Sequence, residues 1–176
     1  MLQGPIWNST STSARDKNSY VKQDFAHRPL RLDRLFRPSP LFFVTFCTHR
    51  RTRWLACDKV HVAFVRFAQR AEDKFNVAVG RYVVMPDHIH LFVCGGPDFV
   101  VGHWIGMLKQ ALAKAGERSG KGLQNWQEGF FDHVLRSEES YGEKWNYVRE
   151  NPLRAGLVES RAAWPYQGEI VYIDRI

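Results

Sequence analysis

Apolar and polar residues alternate along this chain in two rhythms, and each rhythm predicts a different kind of element. Leu41 to His49 is dense in Phe, Val and Thr and has the length of a strand. From Lys59 to Phe75, the apolar residues Val60, Phe64, Phe67, Ala71 and Phe75 recur at helical steps, with Arg66, Arg70 and Asp73 between them. That spacing predicts an amphipathic helix. Val77 to Met85 and His88 to Cys94 read as two more strands. Only Pro86 and Asp87 lie clearly between them, so an antiparallel hairpin is expected. Gly95-Gly96-Pro97 stops the second of the pair. A second helix is expected from about Phe99 to Ala115, with Val101, Trp104, Leu108, Ala111 and Ala115 on one side. Gly129 to Arg136 suits a fourth strand. Ser137 and Glu138 open a third helix, which Pro152 is expected to end.

The order strand, helix, strand, strand, helix, strand matches an α+β, ferredoxin-like sandwich. The expected fold is an antiparallel sheet of four to five strands, the first and third central. Helices lie on one side, and a C-terminal tyrosine-bearing helix is added. The folded domain is expected over residues 39–165, with a C-terminal tail at 166–176. Residues 1–38 differ in character: Asn8 to Ser13 is Ser/Thr-rich, and Arg15 to Arg37 is dense in charge without sustained periodicity. They read as a basic, partly disordered N-terminal arm. No internal repeat is present.

Composition narrows the class. The 176 residues are 44% hydrophobic, enough for one domain with its own core. Lys and Arg total 25 against 18 Asp and Glu, for a net charge of +7. Such an excess favours a polyanion, because clustered cations release counterions from phosphates. Cys47, Cys57 and Cys94 form no C-x-x-C pair, which argues against a disulfide framework or a zinc ribbon and for a cytoplasmic location. The first residues lack the pattern of a signal peptide. No apolar run approaches the roughly 20 residues a membrane helix needs, so no membrane role is expected.

Candidate chemistry gathers in two places. On a strand His88 and His90 face the same way, while Ile89, Leu91 and Val93 face the other. Two imidazoles so placed can share one ion, or they can be ordinary hydrogen-bonded histidines; a third ligand has to decide. His61 and His103 read as surface residues of helices, and His133 falls in the fourth strand, where reach to the pair is left open. In the third helix, Tyr141, Trp145 and Val148 form the buried stripe. Tyr147 lies about 120° from that stripe, and Asn151 follows four residues later on the same side. A phenol and an amide can thus face the histidines together, or be a surface tyrosine beside a helix-ending asparagine. Lys109, Lys114, Arg118 and Lys121 make a candidate phosphate track after the second helix, and Arg136, Lys144, Arg149 and Arg154 surround the tyrosine helix. For Trp126, base stacking and a place in the core are both open.

Three stretches in order carry a family resemblance: YVVMPDHIHLFV at Tyr82–Val93, WQEGFFDHVLRSEESY at Trp126–Tyr141 and YVRENPLRAGLV at Tyr147–Val158. With them, the chain from about Leu41 to Pro165 resembles the HUH single-tyrosine transposases, most closely the REP-associated tyrosine transposases of bacteria. The resemblance implies that His88 and His90 are a metal pair, that Asn151 stands at the third ligand and that Tyr147 is the nucleophile. It implies a divalent ion, magnesium or manganese before zinc. It implies cleavage of single-stranded DNA beside hairpins through a 5′-phosphotyrosine, leaving a free 3′-OH that allows rejoining without ATP. The expected partner is single-stranded or hairpin DNA, with no obligatory protein partner and a monomer or homodimer as the assembly. Two rivals remain: a hairpin-binding protein or repressor that does not cut, and a metal hydrolase that uses water. Covalent trapping of DNA separates the three.

Overall fold

The computed structural model describes residues 40–117, 125–135 and 138–173. The expected arm at 1–38 lies outside them. Within the described residues five antiparallel strands make one sheet in the order β4-β1-β3-β2-β5. They are β1 (Leu41–Cys47), β2 (Val77–Val84), β3 (His88–Gly95), β4 (Phe131–Leu135) and β5 (Gln167–Glu169). The first four stand in the ferredoxin-like order, with β1 and β3 inside as the sequence predicts. Among the described residues five α-helices accompany them: α1 (Asp58–Gln69), α2 (Ala71–Phe75), α3 (Val101–Ala115), α4 (Glu138–Val148) and α5 (Asn151–Arg154). No helix among the described residues is long and apolar enough to cross a membrane.

Strand alternation sorts the sheet into two faces. One carries Val44, Phe46, Val77, Val79, Tyr82, Ile89, Leu91 and Val93, which pack against Val60 and Phe64 of α1 and Trp104, Ile105 and Leu108 of α3. The other carries Leu41, Phe43, Ala78, Phe92, Cys94 and Leu135, packed under Val148 of α4 and Trp164 of the C-terminal segment. Between Val79 and Tyr82 the β2–β3 register slips by one residue, a β-bulge over Gly80-Arg81. The bulge leaves Tyr82 on the α1 side, where its hydroxyl and His61 Nε2 are hydrogen-bonded at 2.9 Å. Arg81 turns to the α4 side, its guanidinium 5.2 Å from the Tyr141 ring and 5.5 Å from Trp145.

Several sequence expectations need correction. The helix expected from Lys59 to Phe75 breaks at Arg70, and Asn76 closes the second piece in the left-handed conformation at φ 52°. Phe75 is therefore exposed rather than buried. The buried face of α3 includes Ile105, Lys109, Leu112 and Ala113 in place of Ala111 and Ala115. His61 is half-buried against Tyr82, not a surface histidine. Pro152 does not end a helix: α4 stops at Val148, and Pro152 sits in the first turn of α5, where its missing N–H costs nothing. The expected tail at 166–176 holds β5, which pairs Arg81 with Glu169 and Val83 with Gln167, an ion pair at 3.1 Å joining the first two. A three-residue strand centred on a glycine has no alternation to read; only its partner β2 defines it.

Candidate active site

On the α4 face, cross-strand partners form rows. Leu135, Leu41 and Cys94 make one, and His133, Phe43 and Phe92 the next. Phe131, Thr45 and His90 follow, then Cys47 and His88. Tyr141 of α4 stands edge-on to Phe92 at 4.6 Å and Val148 is fully buried, so the helix covers the apolar rows. The polar rows lie beyond it. His88 and His90 share this face of the central strand β3, their rings 4.8 Å apart at 87°.

Each imidazole is held by its Nδ1. His88 Nδ1 meets Asp87 Oδ1 at 2.6 Å, and the other Asp87 oxygen accepts from Arg51 Nε at 3.0 Å. Backbone bonds fix Asp87 itself: Thr48 N donates to its carbonyl at 2.9 Å and the Thr48 hydroxyl at 3.0 Å, while Trp54 N and Leu55 N both donate to Pro86 O at 2.9 Å. Arg51 reaches in from a 3-10 turn at His49–Arg51 in which Arg50 and Arg51 have φ 51° and 56°. Two successive non-glycine residues in the left-handed region cost about 1–2 kcal/mol each. Arg51's bonds to Asp87 and to Cys47 Sγ at 2.7 Å hold the turn in place.

His90 stacks on Phe43 at 5.7 Å. Its Nε2 accepts from Asn151 Nδ2 at 3.0 Å, so its proton sits on Nδ1, which donates to Thr45 Oγ1 at 2.7 Å. Burial, with His88, Arg51 and Arg154 nearby, pushes its pKa down to about 3, and burial lowers that of His88 as well. Both rings are thus neutral at physiological pH, the state in which imidazole ligates a metal.

The end of α4 and the start of α5 complete the site. Asn151 Oδ1 accepts from Arg154 Nη2, which also donates to the Tyr147 carbonyl at 2.7 Å. The Arg154 guanidinium lies 4.2 Å from the Tyr147 ring centroid. Tyr147 is 61% exposed, as its angular distance from the Tyr141–Trp145–Val148 stripe predicts. Lys144, one turn earlier, stands 5.9 Å from the Phe43 ring.

Of the residues singled out in the sequence, the structure brings together His88, His90, Asn151, Tyr147, Arg154 and Lys144. It does not bring Lys109 or Lys114. Lys109 is buried, donating to the carbonyls of Gln127 at 3.3 Å and Gly129 at 2.6 Å beside Phe46 and Trp126. Its place in a phosphate track is therefore a misreading: the ammonium ties down a loop. Lys114 is exposed, but α3 packs against the opposite face of the sheet from the histidines. Arg149 is half-buried at the end of α4, and Arg118, Lys121 and Arg136 lie outside the described residues. Trp126 belongs to the core, its Nε1 donating to Lys109 O at 3.0 Å. His103 is exposed on α3; His133 is exposed on the same face as His90, one row along. Sequence reading passed over Thr45, Asp87, Arg51 and Phe43. Asp87 had a signal, since it directly precedes His88 and a carboxylate there can orient the ring. Thr45 had none, because only the β1–β3 register sets it beside His90.

The donor chemistry suits a divalent ion. The Nδ1 atoms are engaged, which makes Nε2 the ligand atom of each ring; that of His90 accepts from the Asn151 amide, a bond an ion would replace. Among the described residues no group of three His, Cys, Asp or Glu could hold a metal, so the remaining protein donor is the Asn151 amide oxygen. Rotation of that amide away from Arg154 would offer it.

The sheet thus carries a histidine pair on a central strand, beside a helix that bears an exposed tyrosine. The chain belongs to the IS200-like transposase family, whose model matches residues 42–150. Within that family the chain is similar to the REP-associated tyrosine transposase of Escherichia coli (strain K12), at 25% identity over 128 residues that cover 71% of this chain and 73% of the relative. A Haemophilus influenzae protein given the same name provisionally is 26% identical over 142 residues, covering 74% of this chain and 80% of its own. The fold matches a solved REP-associated tyrosine transposase bound to a REP hairpin, with TM-score 0.59 and 24% identity over 73% of this chain and 75% of that one.

Proposed function

We propose that this transposase cuts and rejoins single-stranded DNA beside hairpins, with Tyr147 as the nucleophile. The observation that carries the reading is the junction of α4 and α5. It delivers Asn151 to His90 and, through Arg154, ties an exposed tyrosine to the same polar rows. The hairpin in the related solved structure and the +7 charge of this chain support the choice of DNA.

Attack by the Tyr147 oxygen on phosphorus forms a P–O bond and breaks the bond to the 3′ oxygen. The phenolic proton passes to water, and the departing oxygen takes one up to become a 3′-OH. The 5′ end stays on the protein as phosphotyrosine, and attack by another 3′-OH reverses the step. The bond exchange conserves a phosphodiester, so no ATP is required. His88, His90 and Asn151 would hold a magnesium or manganese ion, which when bound withdraws charge from the scissile phosphate. Arg154 holds the phenol ring by stacking and presents cationic charge beside it. Lys144 supplies a second cation on the same side of the histidines.

The test is incubation with single-stranded hairpin DNA and manganese, followed by denaturing electrophoresis. Wild type should give a covalent protein–DNA adduct and a free 3′-OH fragment. Tyr147→Phe should give neither while keeping the fold and DNA binding. Cutting without an adduct in both proteins would establish a water-using hydrolase instead, and an adduct in Tyr147→Phe would move the nucleophile elsewhere.

A further inference from the structure

The polar rows of the α4 face continue sideways from the histidines to the sheet edge. Thr45 pairs with His90 on one side and with Phe131 on the other, so the three side chains point to the same face. Phe131 is 58% exposed, although α4 covers the apolar rows of this face only a few residues away. His133, next on the same face of β4, is exposed as well. Strands lie about 4.8 Å apart, so Phe131 sits roughly 10 Å from His90 along the row, within reach of a base next to a phosphate at the histidines. Lys144 stands over Phe43 of β1, the strand between those of His90 and Phe131. A bare phenyl ring in the row of His90, with Lys144 over Phe43 on the same face, suits a ligand that alternates flat apolar faces with negative charges.

We propose that Phe131 is a stacking platform for a nucleobase of the single-stranded DNA flanking the scissile phosphate, with His133 extending the platform along β4. The inference rests on the DNA-cleaving reading but concerns binding alone. Stacking is sequence-tolerant because every base has a π-face. The platform would therefore hold a strand in register with Tyr147 without choosing its sequence. Val134, on the same strand, is 40% exposed and points to the opposite face with Phe42, which makes it an internal control.

The test uses the full chain in the non-cleaving Tyr147→Phe background and a DNA hairpin with an oligothymidine tail, in which one abasic position is moved along the tail. Phe131→Ala should weaken binding roughly 5- to 100-fold. Phe131→Trp should restore it, and Val134→Ala should leave it unchanged. One abasic position should weaken binding to the parent but cost Phe131→Ala nothing further. Equal losses in Phe131→Ala and Val134→Ala, or an abasic profile that Phe131→Ala does not alter, would overturn the proposal. If Tyr147 proves not to be the nucleophile while this binding pattern holds, the platform stands and only the cleavage reading fails.

Discussion

The two faces of the sheet were built for different work. Against α1 and α3, Tyr82, Phe64, Trp104 and their neighbours are sealed from water, and the Tyr82 hydroxyl is tied to His61. Against α4 the apolar rows are sealed in the same way, but the cover ends at Phe43 and the polar rows begin. One sheet thus carries a stabilising face and a half-open one, and the half-open end holds every element of the proposed site. Alternation along β3 makes this possible. Ile89 and Leu91 anchor the strand from behind while His88 and His90 stay in front. A rigid floor holds the imidazoles at fixed separation with no loop of their own to order.

If that division is right, damage to the two faces should differ in kind. The largest effect belongs to His90→Ala, which should abolish cleavage and metal uptake together while leaving the melting temperature near that of wild type; chelation of the ion should reproduce the loss of cleavage. Calorimetric titration with manganese beside a cleavage assay checks both, and uptake that persists without His90 would break the assignment. Phe64→Ala on the sealed face should behave in the opposite way. It should lower stability by about 3–5 kcal/mol in urea unfolding, yet leave cleavage per folded molecule unchanged.

A smaller effect sharpens the boundary between the faces. Asp87→Ala removes the carboxylate that holds His88 Nδ1, and should weaken metal binding roughly 10- to 100-fold without unfolding the chain. Asp87→Asn keeps an acceptor for the ring and should recover part of that loss. The smallest expected change compares two lysines. Lys144→Ala should lower DNA affinity a few-fold and reduce the salt slope by about one, whereas Lys114→Ala, on α3 behind the sheet, should do neither. Equal slopes for the two variants would show that DNA does not favour the α4 face.

Local periodicity was enough to reveal much of this in the sequence. Alternation put His88 and His90 on one face, and angular spacing turned Tyr147 away from the stripe of Tyr141, Trp145 and Val148. The order of elements implied the ferredoxin-like sheet with β3 inside it. These features depend on residues within a few positions of one another, so the chain displays them without its partners. Tertiary structure alone decided which strands met in which register. That register set Thr45 beside His90 and Phe131 beside Thr45, and it made an edge strand of Gln167–Glu169. Tertiary packing also turned Lys109 inward to the carbonyls of Gln127 and Gly129 while Lys144 came to rest over Phe43. The two lysines look alike in sequence, because a charge on a helix has no preferred fate until the neighbouring loop and sheet arrive. Which cation meets solvent and which caps a carbonyl is settled by desolvation and by partners far away in the chain.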